Sequence, residues 1–268
     1  MKVEGRGTRM APLVGIPTIA LSAHWHTYPD RFHWIAEHGF ALEYSPNPGA
    51  LDLLPVHLGL VLEAGISVRH HAFFPQFELG HSDEDVAENA LRVHLAAVDA
   101  MRGHGEQVVT IHVGLDPQVE LDAGRVVANL ARLVDHAQRL GVTVALENLR
   151  YGPTSNPETV VAWARRAGSM ITLDVGHAVS CERAKAGNLD PLDWVAMFGE
   201  RLVEAHVYER EASRHYPPRD MSVLGPIVDG LLTTGCRWWT IELNDLDEAL
   251  ATRTLLLDYI GGKRAQAR

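Results

Sequence analysis

The segment Leu202-Val203-Glu204-Ala205-His206-Val207-Tyr208-Glu209 carries a carboxylate, an imidazole and a phenol at alternate positions, with Val203, Ala205 and Val207 among them. Side chains alternate across a β-strand, so Glu204, His206 and Tyr208 share one face and the apolar residues the other. A strand covered by protein on both sides is ordinarily apolar on both. An ionisable row needs an unusual interior, and a metal pocket is one that accepts it.

The same alternation recurs along the chain. Ala41, Glu43 and Ser45 oppose Phe40, Leu42 and Tyr44; Thr110, His112 and Gly114 oppose Val109, Ile111 and Val113. Thr143, Ala145 and Glu147 oppose Val144 and Leu146; Thr172 and Asp174 oppose Ile171, Leu173 and Val175; Thr240, Glu242 and Asn244 oppose Trp239, Ile241 and Leu243. His70 and His71 are adjacent, and the row Ser67, Arg69, His71 favours His71 as the inward one. His71, His112, Glu147, Asp174, His206 and Glu242 should then ring one mouth, with Glu43 near it. Carboxylates and imidazoles crowded in a low-dielectric cup repel, desolvate or neutralise one another. A divalent cation resolves the conflict, and this donor mix suits Zn²⁺, Mn²⁺, Fe²⁺ or Co²⁺ better than Ca²⁺. Any one of these residues, Glu43 above all, reads equally well as a hydrogen-bonded strand-end side chain. Shared depth and parity make Glu147, Asp174, His206 and Glu242 a ligand set. His33, His38, His57, His94, His104 and His136 fall on predicted helices or their ends and read as packing or solvated residues. His24 and His26 flank Trp25 where the pocket rim would be.

Eight strands position these groups, predicted at residues 13–22, 40–44, 66–71, 108–113, 142–146, 170–175, 202–208 and 238–243. Helices are predicted between them at residues 30–37, 53–63, 82–102, 121–140, 157–167, 190–198 and 221–234, with a last one at 247–259. Ser82 is the expected N-cap of the third helix, and Asn156 with Pro157 opens the fifth. Gly39, Gly65 and Gly141 stop three others. Strand and helix alternate without a linker, which points to a single (β/α)₈ barrel spanning residues 1–268, with loose ends at 1–10 and 261–268. An open doubly wound sheet is the alternative. In a barrel the site lies at the C-terminal ends of the strands, where the ionisable residues fall.

Composition narrows the partners. The chain has 268 residues, 46% hydrophobic and 22% charged, an ordinary globular balance. Two cysteines give no disulfide framework, so a reducing cytoplasm is the default. No apolar run is long enough to span a membrane, and the first ten residues lack a signal-peptide core. A net charge of −10 disfavours a phosphate-gripping nucleic-acid protein. A small molecule is the expected substrate, and a homo-oligomer stays open.

Three motifs carry a resemblance. Asp174-Val175-Gly176-His177, Glu147-Asn148 and Ala205-His206-Val207, together with their spacing, resemble the xylose isomerase-like TIM barrel superfamily. That group includes sugar phosphate isomerases and epimerases and endonuclease IV (AP endonuclease family 2). The resemblance covers nearly the whole chain. It implies a metal tetrad of Glu147, Asp174, His206 and Glu242. In the epimerase branch it also implies Glu147 and Glu242 as the acid–base pair, with His177 against substrate. In the endonuclease IV branch it implies two or three ions, with His71 and His112 joining the site and His177 and His215 holding the third. That third site expects an aspartate two residues before His215, where this chain has Ser213.

Two reaction classes follow. An isomerase or epimerase of a small sugar, keto-sugar or sugar phosphate needs one ion (Mn, Zn, Co or Fe) and two opposed carboxylates for enediolate proton transfer. A hydrolase of a phosphoester or other polar ester needs more than one ion. Glu43, Arg214, His177 and His215 are candidate substrate contacts, Arg210 and Arg214 through an anionic group. The Ser213 gap and the acidic charge favour the isomerase. A non-catalytic barrel is the third class.

Overall fold

A computed structural model describes residues 15–266. The expectations for residues 1–10, for Leu13 and Val14 in the first strand, and for residues 267–268 lie outside it. Eight parallel strands close into a barrel: β1 (Thr18–His24), β2 (Ala41–Ser45), β3 (Val68–Ala72), β4 (Val108–Ile111), β5 (Thr143–Glu147), β6 (Met170–Asp174), β7 (Leu202–Val207) and β8 (Trp238–Ile241). Each pairs with its sequence neighbours, and β1 pairs with β8 to complete the ring. The open sheet is thereby set aside.

Among the described residues, ten α-helices surround the ring: α1 (Tyr28–His38), α2 (Leu54–Glu63), α3 (Glu84–Met101), α4 (Ala123–Arg139), α5 (Pro157–Ala167), α6 (Val175–Ser180), α7 (Glu182–Lys185), α8 (Pro191–Phe198), α9 (Met221–Thr233) and α10 (Leu246–Gln266). The apolar rows pack against them. Ile111, Leu173, Val207 and Ile241 join the large core between sheet and helices, each worth about 1.5–3 kcal/mol on full burial. The other rows fill the barrel. Ala20, Ala41 and Trp238 form a separate small cluster inside it. Above them the hydroxyls of Thr110 and Thr172 meet at 2.8 Å, and Thr240 donates to Glu204, which pairs with Arg69 at 3.3 Å.

Local differences have physical causes. The N-cap of α3 is Asp83, not Ser82, because the Asp83 carboxylate accepts from the amides of Asp85 and Val86. Asn156 precedes α5 as expected but makes no side-chain capping bond. Residues 261–266 continue α10 where a loose tail was expected. After β7 a two-rung hairpin, Arg210–Glu211 against His215–Tyr216, folds over the mouth. Among the described residues no helix is long and apolar enough to cross a membrane.

Candidate metal centre

β5 ends on Glu147, β6 on Asp174, and Glu242 follows the last residue of β8. His206 is the penultimate residue of β7, beside Asp174 in the register. His71 lies on β3, and His112 follows β4 by one residue. All six sit at the C-terminal rim and are buried or nearly so.

Glu147 is at the centre. Its Oε2 lies 3.0 Å from His112 Nε2, 3.4 Å from His71 Nε2 and 3.4 Å from His206 Nδ1. His206 Nδ1 is also 3.5 Å from Glu242 Oε1 and 4.0 Å from Asp174 Oδ2. Donor atoms thus cluster as His71–His112–Glu147 and as Glu147–Asp174–His206, with Glu147 in both groups, and as Glu43–His71–His206–Glu242 beneath them. The fit to a cation is visible in what these atoms lack. His71 Nε2, Glu147 Oε2 and His206 Nδ1 are buried without a hydrogen-bond partner, yet they converge. Orphaned buried polar atoms are costly, and three facing one point fit a divalent ion.

The electrostatics agree. Burial alone would raise the Glu147 carboxyl, but the imidazoles of His112 and His206 hold it well below its usual value. Burial would lower His206, but Glu242, Glu43 and Glu147 push it well above. The carboxylates thus hold a proton on His206, the position a bound cation would compete for. Glu242 is raised to about 7 by burial. His71 is lowered well below its usual value by burial and by His112.

A further cluster adjoins. His177 Nε2 lies 3.1 Å from Glu211 Oε2, and His215 joins them. Burial would lower His177, but Asp174 and Glu211 raise it to about 9. Arg150 faces Glu211 at 2.9 Å without hydrogen-bond alignment. Glu211 is the residue that sequence reasoning missed. Ser213, at the expected aspartate position, is exposed and bonds Tyr216 instead. The hairpin register pairs Glu211 directly with His215, so the carboxylate arrives from two residues earlier. The spacing of Glu211 and His215 across a tight turn was the available signal.

Two other candidates sit differently from expectation. Glu43, a candidate substrate contact, is wholly buried beneath the tetrad and bonds His206. Arg214 lines the pocket, but its guanidinium is engaged by both oxygens of Glu248, at 2.6 and 2.9 Å. Arg210 stacks on Tyr216 at 4.2 Å and is exposed. His24 lines the pocket, stacked with His26.

Asp174 is positioned from two sides. Its backbone exchanges hydrogen bonds with the Asn148 side chain. Its Oδ1 accepts from the His177 amide, capping α6, and its Oδ2 accepts from Tyr208 at 3.0 Å. His177 Nδ1 lies 2.9 Å from the Asn148 carbonyl, which turns Nε2 toward Glu211. Above the cluster opens a cavity of about 400 Å³, walled by Phe73, Pro75, Leu115, Leu149 and Tyr151.

A closed parallel barrel with this rim defines a class. The chain belongs to the xylose isomerase-like TIM barrel family, whose description matches residues 58–255. It is 32% identical over 157 residues to the uncharacterized protein MJ0008 of Methanocaldococcus jannaschii, across 58% of this chain and 68% of that one. Its fold is similar to an L-ribulose 3-epimerase structure, with TM-score 0.74, 16% identity, and 92% and 96% of the two chains covered. It is also similar to endonuclease IV from Thermus thermophilus, with TM-score 0.64, 14% identity, and 92% and 100% covered. At those identities the structures speak for the fold alone.

Proposed function

We propose that the chain is a multi-metal hydrolase acting on a small phosphoester or another polar ester. The observation that carries this reading is that the adjoining donor groups include two sharing Glu147 and a further one completed by Glu211. The preference for an isomerase rests on the acidic charge and on a third group left without its carboxylate, and Glu211 stands against the second of these premises. Divalent ions held there would polarise an ester oxygen and lower the pKa of a water molecule. The protein's own residues do the rest. Glu147, facing three imidazoles, ties the first two groups together. His177 and Glu211 hold the third beside them. Phe73, Leu115, Leu149 and Tyr151 wall the site from bulk water.

The walls also bear on the substrate. Arg31 and Arg214 are committed to backbone carbonyls and to Glu248 respectively, whereas Arg150 stands beside Glu211 without a hydrogen bond. The net charge of −10 argues against a nucleic acid.

A second reading, proton-transfer isomerisation, is favoured by a specific feature. Glu147 and Glu242 flank His206 Nδ1 at 3.4 and 3.5 Å from non-neighbouring strands, an arrangement suited to an acid–base pair. One experiment separates the two. Protein loaded with Zn²⁺, Mn²⁺ or Co²⁺ is offered aryl phosphomonoesters, phosphodiesters and carboxyl esters, and in parallel keto-sugars in D₂O. Metal-dependent ester cleavage supports the hydrolase. Deuterium appearing beside a sugar carbonyl, with no cleavage, overturns it in favour of the isomerase.

A further inference from the structure

Glu43 lies on β2, across the barrel from β7, with its carboxylate wholly buried beneath the rim. Its Oε1 lies 3.0 Å from His206 Nε2, the nitrogen that faces away from Glu147, Asp174 and Glu242. Its Oε2 is buried without a partner and lies 3.8 Å from His71 Nδ1, which is also 3.6 Å from Glu242 Oε1. One carboxylate therefore sits beside two imidazoles, each of which also contributes to a donor group built on Glu147.

An imidazole has one lone pair to give when it is neutral, and the hydrogen bond at the other nitrogen decides which. With Nε2–H donated to Glu43, His206 keeps Nδ1 free toward Glu147 and Glu242. Glu43 does not line the cavity, so it cannot reach a substrate there. We propose that Glu43 is a positioning residue, which fixes the tautomer and ring orientation of His206 for metal ligation. The inference rests on the reading that the rim holds divalent ions. It assigns Glu43 a role behind the ligands, neither on the metal nor on the substrate. Carboxylates behind ligating imidazoles raise ligand basicity and hold the ring, and their loss typically costs about 10–100-fold in metal affinity.

The test uses the full chain and three readouts. In Zn²⁺-loaded protein, ¹⁵N NMR of His206 should show Nδ1 bound to the ion and Nε2 carrying an exchange-protected proton. Glu43→Gln should weaken Co²⁺ and Zn²⁺ affinity by about 10–100-fold. At saturating Co²⁺, the d–d spectrum of Glu43→Gln should match that of the unaltered chain, because the ligands are the same. An ion on Nε2, affinity within twofold of the parent, or a saturated spectrum with altered coordination would each overturn the proposal. If Glu43→Gln fails to fold, the NMR measurement on the unaltered chain decides. If metal stoichiometry is unchanged in His206→Asn, the rim reading fails and the Glu43 role falls with it. If the stoichiometry drops but Glu43→Gln binds normally, only the Glu43 role fails.

Discussion

Gly176 is the place where one methyl group would reach the site without touching a ligand. It lies on α6, between Asp174 and His177, and a Cβ there would stand 1.9 Å from Tyr208 Cε2 and 2.3 Å from Cζ. An ordinary contact begins near 3.4 Å, so the ring must retreat by about 1.5 Å. It has nowhere to go. Tyr208 is fully buried and lies flat on His215, with ring centres 3.9 Å apart and planes 7° from parallel. Its hydroxyl also donates to Asp174 Oδ2. Overpacking of this kind costs about 1–3 kcal/mol, and losing a hydrogen bond to an acidic acceptor about 1.5–3 kcal/mol. Gly176→Ala should therefore lose about 3–5 kcal/mol, which at this chain length lowers the thermal midpoint by roughly 10 °C.

The assay is thermal unfolding in chelator, so that metal binding does not contribute. A cycle with Tyr208→Ala isolates the clash, because Gly176→Ala should cost almost nothing once the ring is gone. Tyr208→Phe keeps the ring and loses only the hydroxyl, so Gly176→Ala should still destabilise it. A Gly176→Ala midpoint within about 2 °C of the parent would refute the packing argument. So would an equal cost in the Tyr208→Ala background.

Other expectations concern the donor groups and the core. Glu147→Gln should remove two ions by native mass spectrometry, because two groups share it, whereas Glu211→Gln should remove one; equal losses would contradict the shared-carboxylate reading. Metal affinity should fall in mild acid, since the proton held on His206 competes with the cation, and a flat titration between pH 8 and 6 would count against it. Burial lowers His70 and His94 to about 4, so the unfolded chain binds their protons below about 6.5 and the folded chain only below about 4. Each should then contribute a decline in metal-free stability of up to about 3 kcal/mol from pH 6.5 to 4, levelling off below; His94→Asn should remove its own contribution and leave that of His70.

The barrel is legible because its strands are written twice. Ile111 and Leu173 mark the helix-facing row, and Thr110 and Thr172 mark the interior row that meets across the axis. The alternation overruns the pairing, however. Val113 and Leu243 continue the pattern past the last ladder bonds of β4 and β8, so both strand ends read two residues long. Helix α6 is invisible for a different reason. Its six residues have no amphipathic length, and it begins where Asp174 caps the His177 amide. Asp174 can do so because Asn148, on the neighbouring strand end, holds its backbone. A long-range bond thus sets a local boundary, and no window of sequence contains both partners.

The Ser213 position shows the same limit at the level of function. A motif fixes residue spacing, whereas a cation samples only the space around it. In the hairpin after β7 the register pairs Glu211 with His215, leaving residue 213 at the turn. Glu211 stands directly opposite His215 in the ladder, so its carboxylate shares the face of that imidazole. The longer glutamate side chain then reaches His177 at 3.1 Å, a distance an aspartate at that station would not span without backbone movement. Donor type and reach are retained while the motif is lost. The number of donor groups in such a barrel therefore follows from which carboxylates can reach a histidine pair, and counting motif positions alone leaves this centre one group short.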